Sequence, residues 1–180
     1  MRTLLVLLAL LCGTVQCAGA GFLPCPSQLP YFKSVQESHD ERVSAIFAEV
    51  VALTDLQDKK FALCESEEFS PAVFPLAGTD GRGFAVVMPR ALASFADTVI
   101  KGLIAHELGH VARIDLVGGK SVELQADLQA AAWVGTDTVV VALRIMLKNI
   151  HRFPKWQQDL GRYQLEYRIN ALVYGLYEVY

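Results

Sequence analysis

The chain has 180 residues, of which 53% are hydrophobic and 19% are charged. This length fits one domain with a core of its own, and the composition excludes a disordered chain. The 16 basic and 19 acidic residues give a formal charge of -3. That balance argues against binding to nucleic acid or to an anionic membrane surface, because both need a strongly basic face. We therefore expect a globular domain with no nucleic-acid partner.

The first 20 residues are typical of a secretory signal peptide. Arg2 provides a positive start, Leu4–Leu11 is an uninterrupted apolar run, and Ala18-Gly19-Ala20 is a small-residue cleavage site. The run is too short to span a bilayer as a mature helix, and an uncleaved anchor is the alternative. The pattern predicts a signal peptide at 1–20, a single domain at 21–180, and a secreted or periplasmic protein without a stable membrane span after cleavage.

Cysteine usage agrees with export. Two of the four cysteines fall in the predicted signal peptide, which leaves Cys25 and Cys64 in the mature chain. In an oxidising compartment such an even pair favours one disulfide, which would tie the N-terminus to the body of the domain. Two buried free thiols are the alternative, and the sequence leaves both open.

The N-terminal half predicts one helix followed by short strands. Ser34 and Glu37 have the spacing of a capping box, and apolar residues at helical spacing follow, so we predict a helix over about 36–57. Strands are predicted at 61–64 and 72–76. Phe84–Met88 follows a glycine-rich turn, so that 72–88 has the pattern of a hairpin.

The C-terminal half predicts helices separated by glycine and proline. Gly118-Gly119, Gly135 and Pro154 provide the breaks. The predicted helices span about 91–114, 121–134, 136–149 and from about 154 to the C-terminus. The fold class is therefore predicted to be α+β, with a small antiparallel sheet packed with four or five helices.

Residues 106–110 read His-Glu-Leu-Gly-His, the HExxH motif. His106 and His110 are four residues apart, so on a helix both imidazoles can reach one zinc ion at about 2.0–2.1 Å. Glu107 can border the open coordination position, where it would take a proton from the metal-bound water and pass it to a leaving amine. We therefore predict two zinc ligands and a catalytic base. A helix with two polar histidines and a surface glutamate is the structural alternative.

A catalytic zinc ion needs a third protein ligand, and Glu123 is the candidate. It lies 13 residues after His110, beyond a turn that lets the next helix pack back on the first. Asp127 is one helical turn further on, and we predict that it accepts a hydrogen bond from the far ring nitrogen of a ligand histidine. The alternative for Glu123 is a first-turn acid favoured by the helix dipole. His151 is not excluded as a ligand.

A second electrophile normally helps to stabilise a developing oxyanion. The last predicted helix offers several side chains for that role, with His151 as an outsider. Each of them alone is equally typical of surface charge or aromatic packing. The candidates on the helix are Arg162, Tyr163, Tyr167 and Arg168.

The motifs HELGH at 106–110 and ELQAD at 123–127 together resemble the gluzincin metallopeptidases, which combine HExxH with a downstream ExxxD. The alanine within ELQAD and the small residues Ala130, Ala131 and Ala132 after it resemble the CAAX-prenyl-protease-type branch. The short spacing is more similar to that of the compact, single-domain minigluzincins. The segment 167–172 resembles an arginine-isoleucine segment of that branch. The specific match covers about 99–134. The residues 21–70 resemble no family that we can name.

The resemblance implies a zincin-like domain built around the helix that carries HExxH, and a zinc-dependent peptidase with Glu107 as general base. It also implies an edge strand beside the active-site helix that binds an extended substrate, and Phe84–Met88 occupies that place in the chain order. Prenylated substrates are not implied, because the chain lacks the multiple membrane helices of the prenyl proteases.

The motifs and the resemblance together predict a zinc-dependent metallopeptidase that hydrolyses the peptide bonds of an extended peptide or protein substrate. Two alternatives stay open. One is a catalytically silent, zinc-stabilised binding module, against which the glutamate of HExxH argues. The other is a zinc hydrolase of a non-peptide amide, which would use the same residues.

Overall fold

A computed structural model describes residues 22–113, 120–153 and 155–175. Within these ranges the chain forms five α-helices and a four-stranded sheet, so the predicted α+β class is confirmed. The predicted signal peptide and the glycine pair at 118–119 lie outside the described residues. None of the helices in these ranges combines the length and the apolarity that a membrane crossing requires.

The elements follow one another along the chain with short connections. The strands are β1 Gln36–Glu37, β2 Lys60–Ser66, β3 Ala72–Pro75 and β4 Gly83–Pro89. The helices are α1 Glu41–Leu53, α2 Asp97–Ala112, α3 Lys120–Val134, α4 Thr136–Lys148 and α5 Lys155–Tyr174. Two short 3-10 helices, Arg90–Ser94 and Ile150–Arg152, precede α2 and α5.

The first helix begins later than predicted. Asp40 caps α1, because its Oδ1 atom accepts a hydrogen bond from the backbone N–H of Val43 at 2.9 Å. Gln36 and Glu37 pair with β2 instead, so the predicted capping box was wrong. The spacing of Ser34 and Glu37 is a local signal, and pairing with β2, which lies 27 to 29 residues further along the chain, overrides it. Glu37 lies opposite Cys64, and Gln36 lies opposite Glu65.

The sheet is mixed rather than antiparallel throughout. Its strand order is β1-β2-β4-β3. The predicted hairpin of β3 and β4 is confirmed as an antiparallel pair, whereas β2 and β4 run parallel. The chain leaves β2 for the outer edge, forms β3 there, and returns through β4 between the two. The implied edge strand at Phe84–Met88 was therefore wrong, because β4 is internal and β3 is the edge strand.

The two faces of the sheet have different covers. Phe61 and Val86 belong to the main core, which the sheet shares with the helices. Ala62 and Val87 point to the opposite face, which residues of the N-terminal segment such as Leu29 cover. Cys25 lies in that segment and is 5.6 Å from Cys64 of β2 between Cα atoms, with their sulfur atoms at disulfide-bonding distance. The predicted pairing of these two cysteines is present.

Helix α2 is the central element of the helical layer. Most of its residues are buried, so it lacks the one-sided apolar stripe of a surface helix. Two glycines let other helices approach it closely. A Cβ at position 102 would lie 2.7 Å from the carbonyl oxygen of Thr138, and one at position 109 would lie 2.9 Å from the Cα of Ala126. Gly109 thereby brings α3 against the part of α2 that carries HExxH.

Candidate metal centre

Two helices bring the predicted ligands together. His106 and His110 lie one turn apart on α2, and their Nε2 atoms are 3.2 Å from each other. Glu123 comes from the first turn of α3. Its Oε2 atom is 3.3 Å from Nε2 of His106, and its Oε1 atom is 3.4 Å from Nε2 of His110. These three side chains form a group that could hold a metal ion.

The spacing of the three donor atoms fits a small tetrahedral ion. Ligand atoms about 2.0–2.1 Å from such an ion lie about 3.3 Å from one another. The observed separations of 3.2, 3.3 and 3.4 Å match that value on all three sides of the triangle. The donors are therefore already arranged around a point that one ion could occupy.

Asp127 contacts a histidine of the triangle as predicted. Its Oδ1 atom is 2.8 Å from Nδ1 of His106, and its side chain is fully buried. In the neutral ring, Nδ1 donates its hydrogen to this carboxylate, and Nε2 is the unprotonated nitrogen that faces Glu123. The contact therefore selects the ring nitrogen that a metal ion requires.

Arg168 of α5 joins the two carboxylates. Its Nε and Nη2 atoms donate to Asp127 at 2.6 and 2.8 Å, and its Nη1 atom donates to Oε2 of Glu123 at 2.8 Å. The side chain is buried, and such two-point pairing fixes both the position and the plane of a carboxylate. Arg168 thus pairs with both acidic neighbours, and its Nη2 atom also lies 3.2 Å from Nδ1 of His106.

The other candidates for an oxyanion-stabilising group lie elsewhere. Arg162, Tyr163, Tyr167 and His151 are exposed, and none of them lines the cavity beside the donor triangle. The sequence grouped Arg168 with them and did not predict its link to Glu123 and Asp127. The available signal was its helical spacing from Leu165 and Leu172, which are buried on the same side of α5.

Glu107 is a buried carboxylate that faces the same cavity. Only 5% of the surface of Glu107 is exposed to solvent. It has no hydrogen-bond or ion-pair partner among the residues that the structure describes. Burial of a charged carboxylate without a partner is costly, which disfavours its ionised form. Burial raises the pKa of Glu107 to about 7.

The ionisation of the triangle follows from its neighbours. Burial and Arg168 act to lower the pKa of His106, but Asp127 and Glu123 outweigh them and raise it to about 10. Burial lowers the pKa of His110 to about 4. Burial acts to raise the pKa values of Glu123 and Asp127, yet His106 and Arg168 hold both below their ordinary values. Both of these carboxylates are therefore ionised at neutral pH.

The formal charge of the cluster also fits a metal ion. Glu107, Glu123 and Asp127 are three potential negative charges, and Arg168 is one positive charge. With neutral imidazoles, which metal ligation requires, and an ionised Glu107, the cluster would carry two uncompensated negative charges. Without a metal ion, the raised pKa values of His106 and Glu107 reduce that charge. A buried net charge is unfavourable unless it is neutralised. A divalent cation at the triangle would neutralise it.

A cavity of about 710 Å³ opens beside the triangle. This volume is within the usual range of small-ligand sites, about 300–1,000 Å³. His106, Glu107, His110 and Glu123 line one side of it. The remaining walls are mostly apolar and come from β3, β4, α4 and α5.

Comparisons with known proteins identify no relative of this chain. No family model matches it, and neither a curated protein nor a solved structure is significantly similar. The likeness to gluzincins therefore stays a prediction from the two motifs and their spacing.

Proposed function

We propose that this protein is a zinc-dependent metallopeptidase of gluzincin type. His106, His110 and Glu123 would hold the ion, and Glu107 would be the general base. One observation carries the proposal: a donor triangle of tetrahedral size and a buried carboxylate without a partner line the same cavity. A site that only binds metal for stability has no need of such a carboxylate.

Zinc is the ion that the donor set favours. Two imidazoles and one carboxylate are a common ligand set of catalytic zinc, which keeps a fourth position open. A divalent cation would balance the cluster when both imidazoles are neutral and Glu107 is ionised, and the separations of 3.2–3.4 Å suit short metal–ligand bonds. When bound, zinc would supply Lewis acidity that polarises a substrate carbonyl and makes a water molecule more acidic.

The residues of the chain have separate roles in this proposal. Glu107 accepts a proton from the attacking water and returns it to the amine that leaves. Its carboxylate is available because no described residue engages it. Asp127 keeps the ring of His106 in the orientation and tautomer that ligation needs. Arg168 restrains Asp127 and Glu123 and so keeps the triangle in shape.

The proposal includes export to an oxidising compartment. The signal-like residues 1–20 and the pairing of Cys25 with Cys64 support it. Mass spectrometry of protein from the native host should find Gly21 at the N-terminus and two fewer free thiols than the mature sequence contains. An intact Met1 would support the anchor alternative.

The decisive experiment separates the two glutamates. Wild-type protein, Glu107→Gln, Glu123→Gln and a surface control, Glu166→Gln, are loaded with zinc. Metal content is measured by elemental analysis, and an unbiased peptide pool is digested. We expect one zinc per chain and cleavage in the wild type and in the control. Glu107→Gln should keep its zinc and lose cleavage by about 10²–10⁴-fold. Glu123→Gln should bind zinc more weakly, since a neutral amide is a poor ligand.

Two results would contradict the proposal. If Glu107→Gln lost zinc as readily as Glu123→Gln, the ligand and base roles would be misassigned. If the zinc-loaded wild type cut nothing in the pool, the peptidase proposal would be rejected in favour of the binding module or the amide hydrolase.

A further inference from the structure

Strand β3 borders the cavity and forms the outer edge of the sheet. The backbone N–H of Leu76 donates to the carbonyl of Gly83 at 2.8 Å, which fixes the phase of the pairing with β4. In an antiparallel pair, every second residue bonds to the partner strand. Ala72 and Phe74 therefore share the phase of Leu76 and face β4. The backbone groups of Val73 and Pro75 point to the open edge.

Prolines limit the number of backbone hydrogen-bond donors at this edge. Pro75 is in phase with Val73, and so is Pro71, which immediately precedes the strand. Proline has a carbonyl group but no N–H. Along positions 71, 73 and 75, Val73 thus provides the single outward N–H donor, and it has no hydrogen-bond partner among the described residues. All three residues line the cavity.

The opposite walls of the cavity are apolar. Leu143 and Met146 of α4 and Leu165 of α5 line it and are themselves buried. Phe153 adds an aromatic ring to the wall, and this ring packs edge-on against Phe69 with centroids 5.4 Å apart. A cavity of about 710 Å³ with such walls is large enough for a bulky apolar side chain.

Building on the peptidase function, we propose that a peptide substrate pairs with β3 through one residue only, opposite Val73. A large apolar side chain of the peptide then fills the cavity between β3, α4 and α5. Because only one residue of the peptide forms both backbone hydrogen bonds with Val73, pairing with this edge orients the peptide but contacts only a short part of it. Burial of the apolar side chain selects the substrate.

The backbone part is tested by peptide binding to zinc-loaded Glu107→Gln protein, which should bind without cutting. The probe is a fluorescent peptide that wild-type protein cleaves or, if it cleaves none, a phenylalanine-containing peptide from the pool. In this background, Val73→Pro removes the outward donor, and Val73→Ala keeps it while removing the same side chain. We expect Val73→Pro to bind about tenfold more weakly than Val73→Ala.

A gain of affinity provides the converse test. Pro75→Ala adds an outward N–H next to the existing donor, so peptide affinity should rise several-fold. This variant stays informative even if Val73→Pro fails to fold. Unchanged affinity in Pro75→Ala, or equal affinities of the two Val73 variants, would overturn pairing at this edge.

The apolar part is tested with peptides that differ at one position. Wild-type protein should prefer phenylalanine or leucine over aspartate there by at least tenfold. Gly161 lines the cavity, and a Cβ at this position would lie 3.3 Å from Cδ1 of Ile150, so Gly161→Leu should fill part of the space. Asn170→Leu adds the same side chain to the exposed face of α5 and is the control.

We expect Gly161→Leu, but not Asn170→Leu, to abolish the preference for the bulky residue. Equal binding of phenylalanine and aspartate peptides to the wild type would overturn the apolar part. Zinc content and pool digestion test the peptidase separately. Cleavage without these binding differences would contradict only the proposed binding mode of the peptide. The binding differences without cleavage would contradict only the proposed peptidase function.

Discussion

Helix α2 contacts both α3 and α4 through a glycine, and the two contacts differ in the side chains around them. Gly109 allows the close approach of α3, and Gly102 allows that of α4. The α3 side of the contact includes charged and polar side chains, such as His106 and Asp127. On the α4 side the neighbouring side chains are apolar, with Leu103 and Val139 in the core. One glycine therefore sets the distance between the histidines of α2 and the carboxylates of α3, while the other sets the packing of the core.

This comparison shows that the close approach of two helices does not by itself indicate a function. The function depends on the side chains that the approach brings together. Substitutions on the α3 side should change metal binding, whereas substitutions on the α4 side should change only the free energy of unfolding. Four predictions test this division, beginning with the largest expected effect.

The largest effect is expected for Arg168→Leu. The change leaves Glu123 and Asp127 without their buried positive partner. Breaking a buried ion pair from one side costs about 3–5 kcal/mol. We expect a loss of that order in the unfolding free energy of the zinc-free protein, measured by urea denaturation. Arg162→Leu, at an exposed position of the same helix, is the control. Equal stability of the two variants would show that the network contributes little.

The next largest effect is expected for Gly109→Ala. The added Cβ would lie 2.9 Å from the Cα of Ala126 and closer still to its carbonyl oxygen, so α3 must shift. Overpacking of this kind costs about 1–3 kcal/mol. The shift would also carry Glu123 away from the histidines, so zinc affinity should fall about tenfold or more. Competition with a chromogenic chelator measures that affinity. An unchanged affinity would separate the helix contact from the metal centre.

Gly102→Ala makes the same chemical change on the apolar side. Its Cβ would lie 2.7 Å from the carbonyl oxygen of Thr138 and 2.7 Å from the Cβ of Ala142. The unfolding free energy should fall by about 1–3 kcal/mol, partly offset by the better helix propensity of alanine. The zinc affinity of the folded protein should stay within about twofold of the wild type. A loss of zinc as large as that of Gly109→Ala would refute the proposed division.

The fourth prediction concerns Asp127→Asn, which changes a supporting residue of the triangle rather than a helix contact. The amide oxygen can still accept hydrogen bonds from His106 and Arg168, but it lacks the carboxylate charge. Changes of such supporting residues weaken metal binding by about 10–100-fold, or about 1.4–2.7 kcal/mol. The same chelator competition measures it. Asp137→Asn, at an exposed position of α4, should leave zinc affinity unchanged. Equal affinities of the two variants would remove Asp127 from the site.

Sequence patterns predicted the features that depend on local geometry. The four-residue spacing of His106 and His110 is a property of one helix, and the structure places both rings side by side. The positions of Glu123 and Asp127 needed only one turn between two helices. The helical bounds after residue 97 also followed from apolar spacing and from glycine.

The features that failed depend on partners distant in the chain. The capping box at Ser34 and Glu37 lost to pairing with β2, and the internal position of β4 depends on strand order, which no local pattern encodes. Arg168 meets His106 across 62 positions of sequence. A buried arginine is recognisable only when its acidic partners are known, so its role in the cluster could not be predicted.

The link between Cys25 and Cys64 encloses β1 and α1 within one covalent loop, with a sequence separation of 39 residues. Closing a loop of this size restricts the unfolded chain and raises the free energy of unfolding by about 4 kcal/mol in the chain-entropy description. The loop contains none of the side chains of the donor triangle. Thiol reductants would consequently lower the stability of the fold without altering the donor triangle. Removal of the metal ion proposed for that triangle would lower the stability with the loop still closed.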